Sequence, residues 1–183
     1  MTLPPREEMV HVIQGQFRLA DKPNQCLSTL LGSCVAACMR DPILGIGGMN
    51  HFLLPGNDPN STSNVKYGAH SMEQLVNALL RQGAARNRLE VQLFGGANIV
   101  QGLTKIGTSN CAFARQFVRD EGFRLVGEDL GGTRGRKIRF KPSTGIVTVE
   151  PIDALAADTA TRSPARKPVN AASGVSPGDI DLF

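Results

Sequence analysis

Cys34 and His51 are the residues of this chain whose types and spacing best fit covalent chemistry. A free thiol, with a pKa near ~8.5, is mostly protonated at neutral pH and needs a neighbour to take its proton. An imidazole does this and leaves a thiolate able to attack a carbonyl carbon. Gly32-Ser33 precede the cysteine. A glycine there lets the backbone approach a substrate closely, and the local N–H groups suit a developing oxyanion. Gly47-Gly48, just before Met49-Asn50-His51, would leave room beside the imidazole.

The elements that must position this pair are two apolar runs, Ser33–Arg40 and Ile46–Leu54. Between them lies Asp41-Pro42-Ile43-Leu44-Gly45, a strong turn signal, so a hairpin is expected. A two-residue loop at Pro42-Ile43 and a four-residue loop over 41–44 give the same register, with Arg40 opposite Gly45 and Cys34 opposite His51. Directly opposed side chains on antiparallel strands share a face, with Cβ atoms ~4.5–5.5 Å apart. A five-residue loop would separate the pair. The competing reading makes Cys26, Cys34 and Cys38 small core hydrophobes and His51 an ordinary strand residue.

Around the hairpin, Met9–Leu19 alternates loosely as a first strand, and 55–66 reads as an exposed loop. Met72, Leu75, Val76, Leu79 and Leu80 recur at helical spacing, with Ser71 and Gln74 as a capping box and Gly83 as the stop. Leu89–Leu93 is a strand running into Gly95-Gly96, which reads as a tight turn or a wall of the site rather than a phosphate loop. A second helix is expected over 110–121. Strands follow at 123–126, 135–141 and 146–150, the last two joined by Pro142-Ser143-Thr144-Gly145. The pattern specifies an α+β fold, a layered β-sandwich of mostly antiparallel strands with two main helices packed on one side (an α/β/β sandwich).

The 183 residues suit one domain, expected over 1–150. Residues 151–183, rich in Ala and Pro, cannot bury much apolar surface and read as a flexible tail. No apolar run reaches the ~20 residues that cross a bilayer, and the N-terminus lacks an export signal, so a cytoplasmic protein without membrane insertion is expected. Four cysteines without a Cys-x-x-Cys pair and three scattered histidines point to neither a metal site nor a disulfide framework, and no cofactor is expected. A net charge of +4 with a single Tyr and no Trp argues against nucleic acid. The basic run Arg134, Arg136, Lys137, Arg139 and Lys141 is either a solvated strand face or a docking site for an acidic partner.

Taken together, Ser28-Thr29-Leu30-Leu31-Gly32-Ser33-Cys34-Val35-Ala36-Ala37-Cys38, Asp41-Pro42 and Gly47-Gly48-Met49-Asn50-His51-Phe52-Leu53-Leu54-Pro55 resemble the signature of the CheD family of chemoreceptor glutamine deamidases. The match continues at Tyr67-Gly68, Gly95-Gly96-Ala97, Ile106-Gly107, Asn110, Asp129-Leu130-Gly131-Gly132 and Arg136, and spans about residues 10–150. The resemblance implies an amidohydrolase that converts glutamines of methyl-accepting chemotaxis receptors to glutamate through a γ-glutamyl thioester, with Cys34 as nucleophile and His51 as base. Hydrolysis of a γ-glutamyl methyl ester would use the same intermediate. The family's hydroxyl residue, which orients the histidine, falls on Ser28 by ungapped counting, with Thr29 beside it as the alternative. Ser109 stands where family members often carry Arg, a position with no catalytic part. The alternative function is a non-catalytic chemotaxis adaptor that binds receptors or a CheC-type phosphatase.

Overall fold

A computed structural model describes residues 5–100 and 105–153. The segment 154–183, most of the expected tail, lies outside the described residues. Alternating apolar residues build two stacked sheets. One holds β1 (Glu8–His11), β3 (Gln25–Leu31), β8 (Gly135–Lys141) and β9 (Ile146–Ile152) in that spatial order. The other holds β2 (Phe17–Ala20), β5 (Ile46–Asn50), β4 (Val35–Asp41), β6 (Glu90–Gly95) and β7 (Arg124–Leu130). The β1–β3 and β6–β7 pairs are parallel and the other neighbours antiparallel.

Strand alternation sends side chains from both sheets into a shared interior, including Leu27, Leu31, Cys34, Cys38, Met49, Ile138 and Phe140. The opposite face of the five-stranded sheet presents Val35, Ala37 and Met39 to α1 (Thr62–Arg81) and α2 (Ile106–Asp120), whose Met72, Leu75, Leu79, Phe113 and Phe117 complete a second core. These are the expected α/β/β layers, with both helices on one side.

Several elements differ from the sequence expectation. The Met9–Leu19 run splits into β1 and β2, which belong to different sheets. Strand β3 follows β2, between the Met9–Leu19 and Ser33–Arg40 runs, where no element is expected, and β9 runs on to Ile152. Helix α1 begins ahead of the Ser71 capping box: Ser61 is its N-cap and accepts from the Asn64 N–H at 3.3 Å. Its first turns bury Asn64 and Gly68 rather than large apolar residues. A Cβ on Gly68 would lie 2.4 Å from the Phe113 ring, so only glycine allows the two helices to touch there.

The β4–β5 hairpin is the most consequential difference. Its loop is Pro42–Gly45, so Asp41 pairs with Ile46 and Arg40 with Gly47, two residues away from the expected partner Gly45. Asp41 sets this turn: Oδ1 accepts the N–H groups of Ile43 (3.0 Å) and Leu44 (3.3 Å), and its carbonyl accepts Gly45 N–H at 2.9 Å. Gly45 closes the loop at φ +69°, a left-handed conformation that favours glycine. Val35 bridges Phe52 in the same register, which faces His51 with Ala36 instead of Cys34. Gly48, expected to free space near the imidazole, instead admits α1, since a Cβ there would lie 2.6 Å from Leu75 Cδ1.

Candidate active site

Two chain crossings between the sheets meet at one point. Gly32-Ser33-Cys34 carry the backbone from β3 to β4, and residues 12–16 carry it from β1 to β2. The second crossing lies over the first and over His51. His51 N–H donates to the Gln16 carbonyl at 3.0 Å, and Gly15 N–H donates to the His51 carbonyl at 2.7 Å.

The His51 ring reaches across to the other sheet, where Nδ1 lies 2.8 Å from Thr29 Oγ1. Thr29 has one hydroxyl hydrogen, and its 2.6 Å contact with the Val12 carbonyl uses that hydrogen. Thr29 Oγ1 therefore accepts at its other side, which assigns the proton to His51 Nδ1 and leaves a lone pair on Nε2. Nε2 is buried and has no partner among the described residues. Burial pulls the His51 pKa down to about 4, opposed by the Val12 carbonyl, so the ring is neutral at pH 7.

The order of the two hydroxyl candidates is reversed by strand geometry. Leu27, Thr29 and Leu31 alternate onto the inner face of β3, so Ser28 faces the outer side of the four-stranded sheet. Thr29 meets the histidine and Ser28 does not.

Cys34 shares the inter-sheet face with His51 as its diagonal neighbour across the ladder, a relation that spaces Cα atoms ~7–8 Å apart in regular sheet. No hydrogen bond joins the two. The thiol donates instead to Gln14 Oε1 at 3.4 Å. Cys34 is 0% exposed, and burial pushes its pKa up to about 12, with its own N–H opposing. Thiol and imidazole are thus both neutral at rest, in contrast to the thiolate that a directly opposed pair would favour.

The backbone around Cys34 is oriented by its neighbours. The carbonyls of Gly32, Ser33 and Cys34 accept from Ala97 N–H (2.9 Å), Asn110 Nδ2 (2.8 Å) and Gly96 N–H (2.7 Å). The N–H groups of the same three residues have no acceptor among the described residues, apart from the close approach of the Cys34 N–H to its own sulfur. Gly95, at φ +109°, forms the wall behind the cysteine; a Cβ there would lie 2.2 Å from the Cys34 carbonyl oxygen. This fits the wall or turn expected of Gly95-Gly96.

A cleft of about 390 Å³ is lined among others by Gln14, Ser28, Thr29, His51 and Lys137, and buried Cys34 lies behind Gln14 rather than in its lining. Gln14, Asn50 and Asn110 have structural parts that sequence reasoning did not assign. Asn50 Oδ1 takes the Ala37 N–H at 2.8 Å, interrupting the ladder just before His51. Asn110 holds Ser33 and, through Leu54 N–H at 2.9 Å, the end of the β5 segment. Both are fully buried amides, and a lone Asn inside an apolar run such as Gly47–Leu54 is the signal that marks one of them.

A thiol, an imidazole with a lone pair and backbone N–H groups, the last two without partners among the described residues, are the components of acyl transfer through a thioester. The fold and this arrangement define a layered α/β/β protein with a cysteine–histidine–threonine cluster where its sheets meet. The model of the CheD family, described as CheD chemotactic sensory transduction, matches residues 53–151. A relative in Rhizobium meliloti, named "Probable chemoreceptor glutamine deamidase CheD", is 56% identical over 139 residues, covering 74% of this chain and 76% of its own. Proteins of the same name from Jannaschia (58% identity, 75% and 78% coverage) and Caulobacter vibrioides (46% identity, 98% and 96% coverage) are similar to it as well. The chain belongs to the CheD family.

Proposed function

We propose that this protein is a chemoreceptor glutamine deamidase in which Cys34 is the nucleophile and His51 the general base and acid. The observation that carries the reading is the Thr29–His51 contact, which leaves Nε2 without a partner among the described residues in a ring whose strand position is diagonal to Cys34. The names of its relatives supply the substrate class, and family membership supports cytoplasmic receptor helices as substrate and a CheC-type phosphatase as partner. Among the described residues no helix is long and apolar enough to cross a membrane.

At rest, proton transfer from a thiol near 12 to an imidazole near 4 is strongly uphill. The entering glutamine displaces Gln14 from the sulfur and brings its own dipole beside it, so transfer accompanies substrate arrival. His51 Nε2 takes the Cys34 proton, and the sulfur forms a bond to the side-chain carboxamide carbon. The tetrahedral oxyanion is held by N–H groups of the Gly32-Ser33-Cys34 segment. Imidazolium then gives its proton to the departing nitrogen, ammonia leaves, and the γ-glutamyl thioester remains. His51 deprotonates a water that attacks the thioester, and glutamate departs as the thiol is reprotonated. Thr29 acts as a positioning residue, accepting from Nδ1–H throughout. A γ-glutamyl methyl ester reaches the same thioester by loss of methanol.

The test is mass spectrometry of soluble receptor cytoplasmic fragments after incubation with the purified protein. The expected result is a Gln-to-Glu mass change at discrete glutamines with release of ammonia. Fragments unchanged by a folded protein would overturn the reading.

A further inference from the structure

Among the described residues the helices cover only the five-stranded sheet, and none lies on the outer face of the four-stranded sheet. On β8 the residues Arg136, Ile138 and Phe140 turn inward, so Lys137, Arg139 and Lys141, each half-buried, lie in a row on the outer face. None of these three has a carboxylate within ion-pair distance among the described residues, whereas Arg40, Arg88, Arg115 and Arg136 each do. Arg139 Nε is buried without an acceptor among the described residues. Glu150 stands opposite Lys137 on β9 and makes no ion pair with it. The row also touches the site, because the cleft beside His51 is lined by Lys137, His11 and Leu30 from this same face. Ile146, across from Lys141, adds an apolar side chain that is 61% exposed.

We propose that this face docks an acidic helix of the substrate along β8 and so delivers its glutamine to the cleft. Alternate residues of a strand recur every ~6.7 Å, and helix positions i, i+4 and i+8 recur every ~6 Å. A helix with carboxylates at that spacing meets all three cations at once, and its backbone needs no pairing from the sheet. A helix is also the element that ordinarily covers an open sheet face. The inference rests on the deamidase reading for the meaning of delivery, but docking is measured separately from turnover.

The experiment uses the full chain and two labelled synthetic helical peptides, each with one central glutamine. One peptide carries Glu at i, i+4 and i+8, and the other carries Ser there. Binding is followed by fluorescence anisotropy with the wild type and with Arg139→Glu/Lys141→Glu, two positions outside the catalytic cluster. The acidic peptide is expected to bind the wild type at least tenfold more tightly than the charge-reversed protein, with affinity falling as salt rises. The neutral peptide is expected to bind both proteins equally weakly. Arg139→Lys/Lys141→Arg should restore binding, and unchanged alkylation of Cys34 in each variant verifies an intact site. Equal binding of the acidic peptide to wild type and charge-reversed protein overturns the proposal, as does equal binding of the two peptides to the wild type. Absence of glutamine turnover with charge-dependent binding intact would count against the deamidase reading alone.

Discussion

Thr29 Oγ1 and His51 Nδ1 stand 2.8 Å apart across the interface of the two sheets, and the Val12 carbonyl fixes which of them donates. The contact places the ring proton on Nδ1 and leaves the Nε2 lone pair without a partner among the described residues. Thr29→Val keeps the shape and removes the acceptor. It should cost about 1 kcal/mol of stability and lower kcat with little change in KM. Thr29→Ser should restore most of the rate, and Ser28→Ala, altering the outer face of the sheet, should leave kcat near wild type. Steady-state kinetics of the three variants checks this order.

The resting thiol gives a second outcome. With its pKa pushed up to about 12, Cys34 holds little thiolate at neutral pH, and that fraction rises about tenfold per pH unit. Iodoacetamide alkylation of Cys34, located by peptide mapping, should be slow at pH 7 and still climbing at pH 10. A plateau near neutrality would mean a preformed thiolate–imidazolium pair.

Gln14 covers that thiol with the same functional group that a substrate would present. Gln14→Ala removes the cap and should raise the Cys34 alkylation rate severalfold at fixed pH. Buried Cys38 should remain unreactive in both proteins and serves as the internal control.

Protonation of His51 makes stability depend on pH. Its folded pKa of about 4 lies below the 6.5 of an unperturbed histidine, so the unfolded chain binds the proton first as pH falls. Stability contributed by keeping the ring neutral is full above pH 6.5 and is lost progressively down to about pH 4. The shift corresponds to about 3 kcal/mol. Urea unfolding across that window should show the slope in wild type and a flatter profile in His51→Gln.

Much of the fold was legible because its signals are local. The β8–β9 hairpin follows from alternating residues around Pro142-Ser143-Thr144-Gly145, and α2 from the Phe113, Ala114, Phe117 and Val118 stripe. The first half of α1 was not legible, since it packs through Asn64 and Gly68, which carry no hydrophobic periodicity. The hairpin register failed for a related reason. It depends on Asp41 capping the N–H groups of Ile43 and Leu44 and on left-handed Gly45, and an acidic residue four before a glycine was the signal to weigh. Cys34 and His51 nevertheless share a face, because a slip of two residues preserves strand parity. The Thr29 contact joins two sheets, and pairing between sheets is invisible to periodicity within one strand.

The most direct test of the central claim is ammonia release from one receptor fragment by wild type and by Cys34→Ala. The variant loses only a buried thiol and should retain the wild-type circular dichroism spectrum. The account predicts steady ammonia release by the wild type and none above background by Cys34→Ala. Release by the variant at a rate comparable to wild type would contradict it.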